Sequence, residues 1–143
     1  MTEQTRSNVI ELPVQGRQTR PKTLTAFCQL MERWEIAPDD GVVLIELSEV
    51  SGTSLLEFLD APMPRVARRR LMIFEMIHVT YEQMPDPQAF GRDWLLTPNP
   101  DFGDFAPIDM LLDDGWEGVF ALYTWLSHKA IEQKRIRLIE TWA

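Results

Sequence analysis

Cysteine and histidine are scarce in this chain of 143 residues, which holds one cysteine, Cys28, and two histidines, His78 and His128. A lone thiol cannot close an internal disulfide. Its neighbours Leu24, Phe27, Leu30 and Met31 suit a small buried hydrophobe better than a reactive thiol, and no histidine adjoins it to lower its pKa. The histidines stand 50 positions apart, without cysteine or acidic partners at metal-ligand spacing, and read as core or surface residues. The seven glycines form neither a G-x-G-x-x-G nor a Walker-type series, which argues against a nucleotide cradle. Asp101, Asp104, Asp109, Asp113 and Asp114 lack the D-x-D-x-D-G order and closing glutamate of a calcium loop. No catalytic residue, cofactor or metal site is therefore expected, and the chain reads as a binding protein, not an enzyme. No window approaches the roughly 20 apolar residues of a membrane span, and Met1 to Lys22 has no signal-type apolar run. The expectation is a cytoplasmic protein with no membrane contact. Internal repeats are absent.

What is present is the composition of a folded globule, with 45% hydrophobic and 25% charged residues. The net charge of −8 is unevenly spread: residues 23–64 carry eight acids and one base, and residues 91–118 carry seven acids and one base. Phosphate backbones repel such a chain overall, so nucleic-acid contact would fall to local clusters, notably Arg65, Arg68, Arg69 and Arg70.

Residues 1–22 are mainly polar and basic and read as a tail. From Thr23 onward, Leu24, Phe27, Leu30, Met31 and Trp34 recur at three and four residues, the spacing of one helix face. Pro38 followed by Asp39 and Asp40 suits the first turn of a second helix. Its β-branched run from Val42 would also fit a strand; helix is the favoured reading. Thr53 or Ser54 can cap a short helix through Leu59. Pro62 and Pro64 precede a long helix from about Arg65 to Met84, whose arginines either serve an external purpose or solubilise an exposed face. A helical stretch from Ala89 to Leu96, a turn-rich segment, a short helix from Pro107 through Leu112 and a terminal helix carrying Val119, Leu122, Tyr123, Leu126 and Ile131 complete the chain. From Lys134 the sequence alternates basic and apolar residues and reads as a tail.

Trp94-Leu95-Leu96-Thr97-Pro98-Asn99-Pro100-Asp101-Phe102-Gly103, followed by Ala106-Pro107-Ile108-Asp109-Met110-Leu111, resembles the C-terminal domain signature of MbcA/ParS/Xre-type bacterial antitoxins. The shared features are a tryptophan-leucine pair, a Pro-Asn turn, a glycine, and a proline-started helix ending in leucine. The likeness is close over about residues 90–130 and loose over 24–84, where the family carries a helix-turn-helix. Within the motif, Trp94, Leu95, Pro98, Asn99, Gly103, Pro107 and Leu111 read as mainly architectural: anchor, reversal, unusual backbone angle, helix start. The resemblance implies an all-α protein with a flexible tail (1–22), a helix-turn-helix-like domain (23–84) and, packed against it, a small helical toxin-binding domain (85–143). It also implies a type II antitoxin that binds a cognate RES-type (NAD-consuming) or ParT-like (ADP-ribosyltransferase) toxin and covers its active site. The contact is then expected on the terminal helix and tail, at Lys134, Arg135, Arg137 and Trp142, since Trp and Arg dominate interface energetics. A homodimer is implied as well, with the apolar face from Leu24 to Trp34 as a candidate interface.

The DNA-reading half departs from the family pattern. The segment Ser51 to Leu59 offers Ser51, Thr53 and Ser54 but no Lys, Arg, Asn or Gln to read a base edge. Phosphate contact would depend on Arg65, Arg68 and Arg69. Two alternatives stand beside the antitoxin: a DNA-binding repressor, and a non-catalytic helical adaptor that has lost toxin binding.

Overall fold

The computed structural model describes residues 21–46, 65–113 and 115–142. Within them lie six α-helices, and no β-strand among the described residues. These are α1 (Pro21–Arg33), α2 (Pro38–Glu46), α3 (Arg65–Glu82), α4 (Arg92–Leu95), α5 (Pro107–Asp113) and α6 (Gly115–Trp142). Short 3-10 turns at Pro87–Phe90 and Pro100–Phe102 flank α4. The expected all-α class holds. The expected short helix at 53–59, with Thr53 and Ser54, lies outside the described residues.

Helix α1 forms where the apolar spacing demanded it, and buries Phe27, Leu30, Met31 and, one residue beyond its end, Trp34. It closes in a Schellman arrangement: Ile36 N–H donates to Met31 O (2.8 Å) and Glu35 N–H to Glu32 O (3.0 Å). Glu35 takes the left-handed position usually given to glycine, at φ 57°. Helix α2 starts at Pro38 under the carbonyl of Ala37, which accepts from Asp40 and Gly41. It is a helix despite its β-branched run. Its Gly41 lies so close to α1 that an added Cβ would sit 2.6 Å from Met31 Sδ.

Helix α3 is the central element, packed along α1 on one side and α6 on the other. Its inner face carries Ala67, Leu71, Phe74, Ile77 and Tyr81, all buried, at helical spacing. One continuous core joins these to Phe27 and Trp34 of the α1 segment, Leu95 of α4, Leu111 of α5, and Val119, Leu122 and Leu126 of α6. Phe27 and Trp34 both meet Phe74 edge-on, and Trp34 meets Tyr81 likewise, at centroid distances of 5.7, 6.4 and 6.3 Å. The face from Phe27 to Trp34, a candidate dimer interface on sequence grounds, is spent on this internal core; only Leu24 stays half-buried.

Arg70 corrects a second expectation. It belongs to the basic cluster in the sequence, yet its side chain is wholly buried. Its Nε donates to Leu44 O (2.7 Å) and its Nη2 to Leu111 O (2.8 Å). Both carbonyls lie in the last turn of a helix, α2 and α5, where the ladder leaves acceptors unpaired and the dipole is negative. One guanidinium thus caps two helices.

A polar relay crosses the same core. Trp34 Nε1 donates to the Tyr81 hydroxyl (3.0 Å), which donates to Phe90 O (2.6 Å). Burial pushes the Tyr81 phenol far above its ordinary value, outweighing the opposite pull of the Trp34 hydrogen bond and the Arg33 charge. The phenol therefore stays protonated and keeps donating.

Two predictions follow from these buried groups. Arg70→Met, which fills the space but strands both carbonyls, should cost about 2–6 kcal/mol at roughly 1–3 kcal/mol per unsatisfied group. Urea unfolding would measure it, and a loss below 1 kcal/mol would refute the capping role. Because the folded Tyr81 phenol holds its proton more tightly than the unfolded one, its contribution is intact below about pH 10 and declines as pH rises further. Cys28, whose thiol burial also pushes up, adds to that decline. Tyr81→Phe should be less stable at neutral pH and show a shallower alkaline loss in thermal melts across pH 7 to 11.

Candidate functional site

The segment from Trp94 to Leu111 forms a rigid corner. Asn99 organises it: its side-chain Oδ1 accepts from Asp101 N (2.9 Å), its carbonyl from Phe102 N (2.9 Å) and Asp104 N (3.0 Å), and its own N–H donates to Phe105 O (3.1 Å). Consecutive left-handed residues, Gly103 (φ 66°) and Asp104 (φ 68°), turn the chain back. Pro107 then opens α5 from a buried position, while Asp109 Oδ2 accepts from Ala106 N (3.3 Å) and Asp109 N donates to Ala106 O (2.9 Å), a reciprocal cap. Leu95 and Leu111 are fully buried, and Pro98 is exposed.

The corner is fastened to α6 by aromatic packing. Trp94 stacks on Trp125 (5.6 Å, 20°), Phe90 meets both edge-on, and Phe102 packs on Trp125 at 5.3 Å. Trp125 Nε1 donates to Asp101 Oδ2 (2.9 Å). Asp101 and Asp109 are thus engaged in holding the turn. Among the described residues no group of three or more His, Cys, Asp or Glu could hold a metal ion. No helix among them is long and apolar enough to cross a membrane.

Helix α6 runs 28 residues, about 42 Å at 1.5 Å per residue. Val119, Leu122, Leu126 and Ala130 face the core. The last anchor is Gln133, whose Oε1 accepts from Asp86 N and whose Nε2 donates to Asp86 O, both at 2.9 Å. Beyond it every side chain from Lys134 to Trp142 is exposed. The stretch read from sequence as a tail is the continuation of this helix, since no glycine or proline follows Gly118 to break it. Ile131, Leu138 and Trp142 are spaced by seven and four residues and share one face, at 56%, 58% and 81% exposure. Ile136 and Ile139 flank them, and Lys134, Arg135 and Arg137 are interleaved, all exposed.

The other expected site residues lie elsewhere. Arg65 and Arg69 are exposed and Arg68 half-buried at the start of α3, while Arg70 is withdrawn into the core. His128 is exposed on α6; His78 is buried on α3. Sequence reasoning missed Arg92, whose Nη1 donates to Trp34 O (3.0 Å) and Glu35 O (2.9 Å), tying α4 to the end of α1. Nothing in the local pattern around Arg92 signals a partner 57 residues earlier.

Comparison with protein-family models, curated proteins and solved structures finds no match to the chain.

Gly103 offers a direct test of the corner. An added Cβ would meet nothing nearer than the Phe105 ring at 3.9 Å, so the objection to a side chain is the backbone angle, not crowding. Gly103→Ala should therefore cost about 1–2 kcal/mol in chemical denaturation. An unchanged midpoint would show that the turn tolerates another conformation.

Proposed function

We propose that the chain is an antitoxin-type binding protein that neutralises a cognate toxin by laying the end of α6 across the toxin's working cleft, without itself transforming a metabolite. The observation that carries this reading is the projecting helix end. The nine residues from Lys134 to Trp142 are all exposed, and present Leu138, Ile139 and Trp142 among three cations. An exposed apolar stripe of this kind is costly to solubility, and is characteristic of surfaces that are covered by a partner.

The chemistry of the stripe suits a particular cleft. Exposed Lys134, Arg135 and Arg137 favour a site that receives phosphates, as the pocket of an NAD-consuming RES-type toxin or a ParT-like ADP-ribosyltransferase does. Trp142 supplies a large amphipathic anchor of the type that concentrates binding energy. The corner from Trp94 to Pro107, clamped on Trp125, holds α6 at a fixed angle, so the end is presented without an ordering cost paid at binding.

Co-expression with a RES-type or ParT-like toxin, drawn from a neighbouring reading frame where one is present, tests the proposal. The full chain should restore growth, and removal of residues 134–143 should abolish protection. Lys134 to Trp142 carry no buried side chain, so the thermal midpoint should stay within about 2 °C, with ellipticity falling only by the turns deleted. Trp142→Ala should weaken binding by about 2 kcal/mol, on the scale of an interface hot spot. Full protection by the truncated protein would overturn the assignment to α6.

A further inference from the structure

Helix α6 has a second face, turned away from the core. Phe120, Thr124, Ser127, Ile131, Leu138 and Trp142 follow one another at steps of four, three, four, seven and four residues, the heptad spacing of one seam along a helix. By helical phase they lie opposite Leu122 and Leu126, which hold the inner face of α6 against the core. Ser127 is half-buried and the other five are exposed. The seam is about 33 Å long at 1.5 Å per residue. Its first half, to Ile131, belongs to the part of α6 that packs on the body of the protein, and its second half runs past the last anchor, Gln133.

Reversed, this seam matches itself. About a two-fold axis beside Ile131, that residue meets its own copy, Thr124 falls opposite Leu138, and Phe120 falls opposite Trp142, because each pair is equally distant from position 131. The small side chain of Ser127 then leaves room for the stem of Arg135. A parallel pairing would also align the apolar residues, but would set Lys134, Arg135 and Arg137 against the same three cations. The antiparallel one carries those cations instead to the partner's stretch from 125 to 128, beside the corner at Asp101, in a region where residues 91–118 hold seven acids and one base.

A recess completes the fit. It holds about 590 Å3 and is lined by Phe102, Ala121 and Trp125 together with Asp101, His128 and Glu132. Trp125 is fixed there, donating to Asp101 Oδ2 (2.9 Å) and stacked on Trp94 (5.6 Å). Ala121, His128 and the exposed Ile139 lie on the same flank of the seam by helical phase. In a two-fold antiparallel pair, like flanks adjoin, so Ile139 of one copy arrives beside Ala121 and Trp125 of the other.

We infer that two copies of this chain pair through α6, antiparallel, each projecting helix end lying along the outer face of the other copy's α6 with Ile139 in its recess. The inference goes beyond the toxin reading, and where both hold, a toxin and a second copy compete for the same helix end.

The test uses the purified full chain without any toxin, so its failure leaves the toxin reading standing. Sedimentation equilibrium should show a dimer. Ile131→Glu, at an exposed position outside residues 134–143, should keep its ellipticity and weaken association by about a hundredfold, since it sets like charges together on the two-fold axis. Cross-linking fixes the direction. In a Cys28→Ser background under diamide, Ile131→Cys should give a disulfide-linked dimer, because the two copies of that position adjoin, and Leu138→Cys should not. The mass of a single chain up to millimolar concentration, undiminished association of folded Ile131→Glu, no cross-link from Ile131→Cys, or a cross-link from Leu138→Cys as ready as that from Ile131→Cys would each overturn the inference.

Discussion

The guanidinium of Arg70 stands at the junction of three helices, fully removed from water. A cation there would be prohibitive if unsolvated. At two of its nitrogens, Leu44 O and Leu111 O, from the negative ends of α2 and α5, take the place of water. That arrangement constrains the rest. The end of α5 must arrive beside α3 at the same point as the end of α2, so the chain between α4 and α5 has to reverse sharply, which is what Asn99, Gly103 and Asp104 accomplish. Helix α6 starts two residues after α5 ends, and its direction is inherited from that junction.

A second continuous element spreads this order across the molecule. Phe27, Phe74, Trp34 and Tyr81 interlock α1 with α3, and the Tyr81 hydroxyl donates a hydrogen bond to the carbonyl of Phe90. Phe90 in turn packs against Trp94 and Trp125, so the same network reaches α4 and α6. Edge-on aromatic pairs are directional as well as apolar, which fixes the angles between helices more tightly than aliphatic packing alone. The corner that begins at Trp94 is thus held from behind by residues that belong to the first helices.

What the sequence revealed and what it hid divide along one line: residues that face the core announce themselves by period, and residues that face water do not. The α1 face and the α6 stripe from Val119 to Leu126 were readable by spacing, because burial enforces it. Lys134 to Trp142 contacts no core, so its pattern did not signal helix; it continues as one because nothing breaks it. Arg70 was misread because it sits in a run of arginines. Its position, three residues after Ala67 and four before Phe74, places it on the buried face. The apolar side of α1 was legible as a surface needing cover, but its cover turned out to be α3. A cleft lined by Arg33, His78 and Trp94 was invisible because its wall comes from α1, α3 and α4, separated by dozens of residues.

The two surfaces of interest meet at one short piece of chain. Asp86, immediately before the first 3-10 turn, holds Gln133 through both its N–H and its carbonyl, and so marks where α6 leaves the body of the protein. Gln88 and Ala89, within that turn, form part of the cleft wall, and Phe90 receives the Tyr81 hydroxyl. Displacing this turn would break the Gln133 clamp and free the helix end, whereas occupation that leaves the turn in place would leave α6 as it is. Pro85 and Pro87 restrict the backbone on either side of Asp86, and the Tyr81 hydrogen bond pins the far end of the turn. The geometry therefore favours the second case, in which the cleft wall and the projecting helix end are mechanically separate.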